Sequence, residues 1–484
     1  MPSSRPQDPL EILKQRFGLE QLYPLQERIV ARVMSGGDAL VVMPTGSGKS
    51  LCYQLPALSL PRPGLTLVFS PLIALMEDQV AALCKKGVHA QYINSTLDRK
   101  ERERRYASLA AGRYELLYAT PERMHKPEFL AALDTVPGGV RLLAIDEAHC
   151  ITRWGHDFRP AYQQVGEFRE RLGRPTTIAL TATATPEVRK DIRRTLGRSP
   201  DEMPLFATGI DRPNLSFDVY DTWDDAAKLE RIRELADAHR GTGIVYFSLI
   251  KTLDHYASLL REGTAPFRLA LYHGKLPPSQ KKQVYERFIA ARPDERLLLL
   301  ATNAFGMGVD KSDIRFIAHA QVPGSVESYY QEVGRAGRDG LPSTCALLYA
   351  EDDLAIQQQF VTWMNPSVEM VAQAARVLED WPHVDFTVDD LRPLIIARDR
   401  GDRRAEACVT ELLRRGVLEE APLPEHYRFV RPLEPGELSE QQVEDKRRRD
   451  LLRLLDMLKL VKTDDVRGFL LDYFGLDGDV SREG

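Results

Sequence analysis

The sequence predicts an α/β protein. It should hold two tandem domains, each a parallel sheet with helices on both faces, followed by a small winged-helix domain and a helical tail. Three observations carry this. Short apolar runs alternate with helix-period segments over the first 350 residues, the pattern of strands joined by helical crossovers. A turn-rich stretch at 206–214, FATGIDRPN, interrupts the pattern once, and it then restarts. Beyond about residue 350 the apolar runs shorten and helical periodicity dominates.

The elements follow in order. In the first domain, 1–207, strands are expected at Ala39–Met43, Leu65–Ser70, Glu115–Ala119, Leu142–Ile145 and Thr177–Thr181, with helices at Ser50–Leu58 and Ile73–Lys85 among those between them. In the second, 208–350, they are expected at Gly243–Phe247, Leu269–Tyr272, Leu297–Ala301, Ile314–Ala318 and Thr344–Tyr349. In the third, 351–435, helices at Val368–Glu379 and Arg404–Arg415 flank a short strand entering a helix. A hairpin follows in VLEEAPLPEHYRFV. Three helices and a hairpin suggest a winged helix; a plain helical connector is the alternative. The tail, 436–484, opens on EDKRRRD and has Leu451, Leu452, Leu455 and Leu458 at helical spacing as its packing residues.

Bulk properties exclude several classes. The net charge of -5 announces no nucleic-acid binder, so any such binding must come from local basic patches. No apolar run approaches the ~20 residues of a membrane helix, and the polar N-terminus has no signal-peptide pattern. A cytoplasmic protein with no membrane partner is expected. The five cysteines are scattered and form no CxxC pair, which argues against a disulfide framework and against zinc.

Two stretches carry chemistry. MPTGSGKS, Met43 to Ser50, lies between a strand and a helix. Thr45, Gly46, Ser47 and Gly48 would cradle phosphates with their backbone N–H groups. Lys49 would reach the outer phosphates, and the Ser50 hydroxyl would ligate Mg²⁺. The new helix points its positive dipole end at the anion. The second stretch, DEAHCITRWGHDFRP, leaves a strand through two adjacent acids. Asp146 would hold the magnesium and Glu147 would orient and deprotonate a water, since a metal-neutralised carboxylate is a poor proton acceptor. Together these point to Mg²⁺-dependent hydrolysis of a nucleoside triphosphate.

With these motifs the chain resembles superfamily 2 helicases, and within them the RecQ family, over roughly residues 12 to 350. FGLEQLYPLQ, SPLIALMEDQV, INST, YATPERM, LTATAT, ATNAFGMGVDK and YYQEVGRAGRDG are similar to the family's motifs, in its order. The resemblance implies tandem RecA-like domains with ATP between them. It implies that Gln26 reads adenine (Tyr23 stands where the family has arginine) and that Asp310 contacts ribose. Arg335 and Arg338 would reach the γ-phosphate as arginine fingers, and Gln331 would help order the water. A surface role at a helix end is the alternative for the two arginines. Ser70, Asn94, Thr120, Arg123 and Thr302 would contact the DNA backbone. WGHDFRP is similar to the family's aromatic-rich loop. Trp154, His156, Phe158 and Arg159 would meet single-stranded DNA there, base stacking being worth ~1–3 kcal/mol per base. For Trp154 and Phe158 a small local core is the other reading. His149 would couple this loop to Thr181 or Thr183.

The implied activity is an ATP-dependent 3′ to 5′ DNA helicase acting on single strands and on single-strand/duplex junctions, in recombination and repair, nucleoid-associated if bacterial. An RNA helicase, a translocase that does not unwind, and an annealing or scaffolding protein with a vestigial ATP site are the alternatives. The tail DDVRGFLLDYFG resembles the family's zinc-binding element, but Asp465 stands in place of a cysteine and Val466 in place of an arginine. No zinc is expected. Arg404 to Arg415 is the candidate helix to face DNA, and His426 or Tyr427 could serve as a wedge or simply form a turn. Lys446–Arg449 and Asp98–Arg105 read either as DNA contacts or as solvated helix faces.

Overall fold

The computed structural model describes residues 7–44, 46–61, 63–152, 160–209, 211–262, 267–306, 309, 311–396, 402–421, 423 and 425–476. Its first sheet has seven parallel strands: β1 (Ala39–Val42), β2 (Leu65–Phe69), β3 (Ala90–Ile93), β4 (Leu116–Ala119), β5 (Val140–Ile145), β6 (Thr176–Thr181) and β7 (Leu205–Ala207). Their order is β3-β4-β2-β5-β6-β1-β7. The second sheet holds β8 (Leu215–Asp221), β9 (Thr242–Tyr246), β10 (Arg268–Tyr272), β11 (Leu297–Ala301), β12 (Ile314–His319) and β13 (Ser343–Tyr349). They are ordered β10-β11-β9-β12-β13-β8 and are again all parallel.

Strand alternation explains why both sheets need helices on two sides. In the first, Leu40, Val42, Leu67, Phe69, Leu143 and Ile145 face one core. Their neighbours Ala39, Val41, Val68, Leu142 and Ala144 face another, with Ile29, Val33, Met76 and Val80 from covering helices. Three strands absent from the expected set, β3, β7 and β8, are all edge strands. An edge is covered less completely, so polar residues interrupt its apolar run, as Gln91 does in β3 and Ser216 and Asp218 do in β8.

Two buried ion pairs fasten elements that are distant in sequence. Asp38, just ahead of β1, accepts from the Thr177 N–H at 2.7 Å, from Arg169 Nη2 at 3.1 Å and from Arg198 Nε at 2.7 Å. Lys228 Nζ donates to both Asp353 oxygens, at 2.9 and 2.8 Å, and to the Ala320 carbonyl at 2.7 Å.

The third unit runs helix Val368–Glu379, β14 (Asp385–Thr387), helix Val388–Ile395, helix Arg404–Arg414, β15 (Leu418–Glu420) and β16 (His426–Phe429). Its antiparallel strands are ordered β14-β16-β15. Phe386, Leu391, Val409 and Leu412 fill its core. His426 and Tyr427, read as a wedge or a turn, both lie in the central strand β16, with the Tyr427 ring 5.9 Å from that of Phe386.

The tail comprises helices Glu440–Lys462 and Val466–Phe474. Its packing register also differs from expectation. Leu451, Leu452 and Leu455 are exposed and Leu458 is partly buried, whereas Leu454, Met457, Leu460 and Val461 face inward. The leucines chosen from spacing lie on the opposite stripe of the helix. Asp465, at the resemblance's cysteine position, caps the last helix by accepting from the Gly468 N–H at 2.8 Å. No helix among the described residues is long and apolar enough to cross a membrane.

Removing Asp38 would strand the Arg169 charge, which is only 2% exposed. Asp38→Ala should therefore lower unfolding stability by ~3–5 kcal/mol, read from urea melts. A loss below about 1 kcal/mol would show that this pair does not hold the sheet.

Candidate nucleotide and nucleic-acid site

The loop after β1 is shaped by glycines in the left-handed region, Gly46 at φ +83° and Gly48 at φ +79°. Space is also short there. A Cβ on Gly48 would lie 2.7 Å from Gln26 Nε2, and one on Gly46 would lie 2.8 Å from Arg338 Cδ. Gln26, buried at the start of helix Pro24–Met34, accepts the Tyr23 N–H at 3.0 Å. It donates to the carbonyls of Ser47 at 3.2 Å and Gly48 at 3.4 Å, tying the loop to that helix. Ser47 Oγ donates to the Pro44 carbonyl at 2.6 Å, and Ser50 leads into helix Leu51–Ser59. Lys49 Nζ is buried with no hydrogen-bond partner. Thr45 lies outside the described residues.

The acids face this loop from the neighbouring part of the sheet. The Asp146 N–H donates to the Phe69 carbonyl at 2.8 Å, extending the strand pairing by one residue. Burial pushes the Asp146 carboxyl up to about 7; the Glu147 charge adds to this and Lys49 opposes it. Glu147 has φ +49°, a left-handed conformation that is strained for a residue with a Cβ. A buried, unpartnered amine beside two crowded carboxylates and a glycine cradle fits a phosphate chain with its Mg²⁺.

From His149, beside Glu147, a hydrogen-bonded chain runs into the second half. His149 Nδ1 lies 3.3 Å from Glu147 Oε2 and 2.8 Å from Thr181 Oγ1. The Thr181 hydroxyl spends its single proton on the Thr183 carbonyl at 2.9 Å, so His149 Nδ1 must carry the proton shared with Thr181. Thr183 Oγ1 accepts from Gln331 Nε2 at 3.2 Å. Gln331 lies on helix Val326–Val333, between the two sheets' functional edges. Both threonines therefore lie on the line of contacts between His149 and Gln331.

The two candidate fingers differ. Arg338 donates from Nη1 to the Val309 carbonyl at 2.7 Å, while its methylenes lie over Gly46 of the phosphate loop. Arg335 is buried beside Gly306 and hydrogen-bonds the Tyr246 hydroxyl. These contacts of Arg335 lie within the second half. Asp310 lies outside the described residues.

Ser70, Asn94, Thr120 and Thr302 follow β2, β3, β4 and β11 directly, so they share the carboxyl edges of the sheets with Asp146. Arg123 lies in the short helical turn Pro121–His125. All five side chains are buried. Asn94 is committed to its own turn, accepting the Thr96 N–H at 3.1 Å and hydroxyl at 2.8 Å, whereas Ser70 Oγ has no partner. Trp154, His156, Phe158 and Arg159 lie outside the described residues. Both flanks of that stretch are nevertheless fastened to the acids' segment. Thr152 Oγ1 donates to the His149 carbonyl at 2.6 Å, Tyr162 OH to the Asp146 carbonyl at 2.9 Å and Gln163 Nε2 to the Ile151 carbonyl at 2.9 Å. Sequence reading missed Tyr162, Gln163 and Tyr246. Each acts through a carbonyl or a distant side chain, which leaves no local pattern.

Several charged candidates are occupied internally. On helix Arg404–Arg414, Arg404 pairs with Asp402 at 2.6 Å and Arg414 with Glu411 at 3.1 Å; Arg415, just beyond it, also pairs with Glu411, at 2.7 Å. Lys446 donates to the Met364 carbonyl and to Asn365 Oδ1, each at 2.8 Å, and bonds Asp450. Within 98–105, Arg99 pairs with Glu103, and Arg104 and Arg105 pair with Glu101, along their own helix, while Arg102 donates to the Leu97 carbonyl.

Comparison with known proteins agrees with this geometry. Residues 23–192 match the DEAD/DEAH box helicase family, and residues 227–340 match the helicase conserved C-terminal domain. The chain is 38% identical over 400 residues to the probable ATP-dependent DNA helicase RecS of Bacillus subtilis (strain 168), covering 82% of this chain and 78% of the relative. It is 42% identical over 400 residues to the ATP-dependent DNA helicase RecQ of the same organism, covering 82% of this chain and 65% of that relative. Against the ATP-dependent DNA helicase RecQ of Pasteurella multocida it is 39% identical over 351 residues, or 72% of this chain and 53% of that one. The fold alone is shared with the DUF1998 helicase MrfA bound to DNA, at TM-score 0.58 and 20% identity, covering 89% of this chain and 63% of the other. It is shared likewise with S. cerevisiae Dbp5 bound to RNA and ADP BeF3, at TM-score 0.55 and 16% identity, covering 72% and 90%.

Gly46→Ala should force the phosphate loop and Arg338 apart. ATP turnover should fall at least tenfold, with the thermal midpoint displaced by no more than about 4 °C. Steady-state hydrolysis beside a melting curve checks this, and parental turnover would show that the close approach has no function.

Proposed function

The chain belongs to the RecQ family of ATP-dependent DNA helicases, and on that premise we propose that it travels 3′ to 5′ on single-stranded DNA and opens the duplex ahead. The observation that carries the proposal is the double crossing between halves. Arg338 lies over Gly46, and Gln331 bonds Thr183. A cleft bridged at both its phosphate end and its coupling end is suited to convert nucleotide turnover into relative movement of the two sheets.

In this reading residues 1–207 hold the nucleotide. Gln26 reads the adenine, the backbone of Thr45 to Gly48 wraps the phosphates, and Lys49 neutralises the outer ones. Mg²⁺ held by Ser50 and Asp146 supplies further charge neutralisation. Glu147 receives the proton of the attacking water, with the His149 ring 3.3 Å from its carboxylate. Residues 208–350 bring Arg338, with Arg335 behind it, to the spreading charge of the transferred phosphoryl group, and Asp310 to the ribose. A finger of this kind is worth ~10³–10⁵ in rate. When the halves part, Gln331 leaves Thr183 and the chain to Glu147 is interrupted, so hydrolysis is confined to the closed state.

Ser70, Asn94, Thr120, Arg123 and Thr302 line the track for the DNA backbone. Because Tyr162 and Thr152 anchor the aromatic stretch to the acids' segment, a base stacked on Trp154 or Phe158 can be felt at Glu147. Opening one base-pair step costs ~1.4 kcal/mol, and base stacking on an aromatic is of that size. The helix–strand–helix–helix–strand–strand order of 368–429 supports a winged helix that holds the duplex, and we place the work of the enzyme at junctions in recombination and repair.

Lys49→Ala and Glu147→Gln should each lower ATP turnover by roughly a hundredfold or more, while single-stranded DNA still binds in an anisotropy assay. Parental hydrolysis by either variant would remove the site assignment. Trp154→Ala should keep basal hydrolysis and lose its stimulation by DNA; an undiminished response would take the sensor role from the aromatic stretch. Strand displacement on duplexes with 3′ or 5′ tails, with an RNA duplex as a third arm, should succeed on the 3′-tailed DNA alone. Displacement from the 5′ tail would reverse the polarity, and hydrolysis without displacement on any substrate would leave a translocase.

A further inference from the structure

The last helix, Val466–Phe474, touches both halves. On the second half, Tyr473 OH donates to Glu327 Oε1 at 2.9 Å, and the Phe474 ring lies 5.1 Å from that of Tyr330. Arg467 bonds Asp211 and the Leu215 carbonyl and stacks over Phe217. On the first half, Arg189 Nη2 donates to the carbonyls of Phe474 at 2.7 Å and Gly475 at 3.2 Å. Gly475 ends the helix at φ +54°, and a Cβ there would stand 3.2 Å from both Arg189 Nη2 and Pro186 Cγ. The final carbonyls of a helix lack partners of their own and carry its negative dipole end. A buried guanidinium from another domain satisfies both needs.

The two anchoring points are not arbitrary. Glu327 and Tyr330 lie on helix Val326–Val333, which also carries Gln331. Arg189 lies on helix Pro186–Thr195, whose cap, Thr185, is two residues beyond Thr183. The brace therefore grips the two elements whose side chains meet in the Gln331–Thr183 bond.

We propose that Arg189 and the C-terminal end of the last helix form a latch that sets the closure of the nucleotide cleft, with Arg189 acting as a positioning residue for Gln331. The tail is held to the second half by Tyr473, Phe474 and Arg467. It travels with that half and docks on Arg189 when the cleft closes. The inference rests on the reading that hydrolysis requires closure, and it adds the device that stabilises the closed state.

The test uses the full chain. Cys84 is the exposed cysteine, the other four being buried. A Leu341→Cys substitution at an exposed position places a second thiol in the other half. Donor and acceptor dyes at these two sites report the separation of the halves by energy transfer. Arg189→Ala should shift the population to lower transfer, both without nucleotide and with an ATP analogue. It should lower DNA-stimulated kcat about tenfold and leave KM for ATP within about threefold, because Gln26 and Lys49 belong to the first half alone. Arg189→Lys, which keeps one donor, should restore transfer and most of kcat. Tyr473→Phe, which frees the other end, should shift transfer in the same direction. Unchanged transfer in Arg189→Ala, or a lost kcat that Arg189→Lys does not recover, overturns the latch. If the parent shows no DNA-stimulated hydrolysis, the helicase reading fails by itself, and the transfer measurement still decides whether the latch exists.

Discussion

A buried charge without a partner is the constraint on which the functional edge depends. Lys49 Nζ has no acceptor, yet it stands near two carboxylates, one of which has its pKa pushed upward by burial. Such an arrangement is costly in a folded chain. It persists because two sheets with several cores fix every backbone that supplies it. The strands are parallel, so their carboxyl ends collect on one edge, and whatever follows each strand is presented there. Gly46, Asp146, Thr183, Ser70, Asn94 and Thr120 share that edge for this topological reason. On the proposed reading, a polyphosphate and its cation would relieve that imbalance.

The same topology explains what could be read from the sequence. Central strands announce themselves because burial on both faces demands an uninterrupted apolar run. β5 and β11 are of this kind, and they led directly to the acids and to Thr302. Edge strands carry no such demand, and β3, β7 and β8 went unread. The expectation for Lys49 and the acid pair rested on residue types tied to phosphate chemistry, which few other uses would place after a strand. Tyr162, Gln163 and Arg189 were not legible. Each bonds a main-chain carbonyl, and a carbonyl looks the same at every position in a sequence. For Arg189 the acceptor is 285 residues away. The tail shows a third kind of miss. Helical periodicity marked a leucine stripe in Glu440–Lys462, but it could not say which stripe meets a core built from distant segments.

Charge also proved a weak guide outside the nucleotide edge. Arg404, Arg414, Arg415 and Lys446 are engaged with nearby acids or carbonyls, and Arg99, Arg104 and Arg105 pair along one helix. A net charge of -5 is then no obstacle to holding a polyanion. What matters is which cations remain unneutralised in the fold, and in this chain the plainest case is Lys49.

Glu147 holds its place with a backbone shape that suits glycine or asparagine better than glutamate, at a cost of about 1–3 kcal/mol. Sturdiness and turnover therefore pull in opposite directions at that one codon. A glycine there would relieve that cost and remove the carboxylate proposed to take the water's proton.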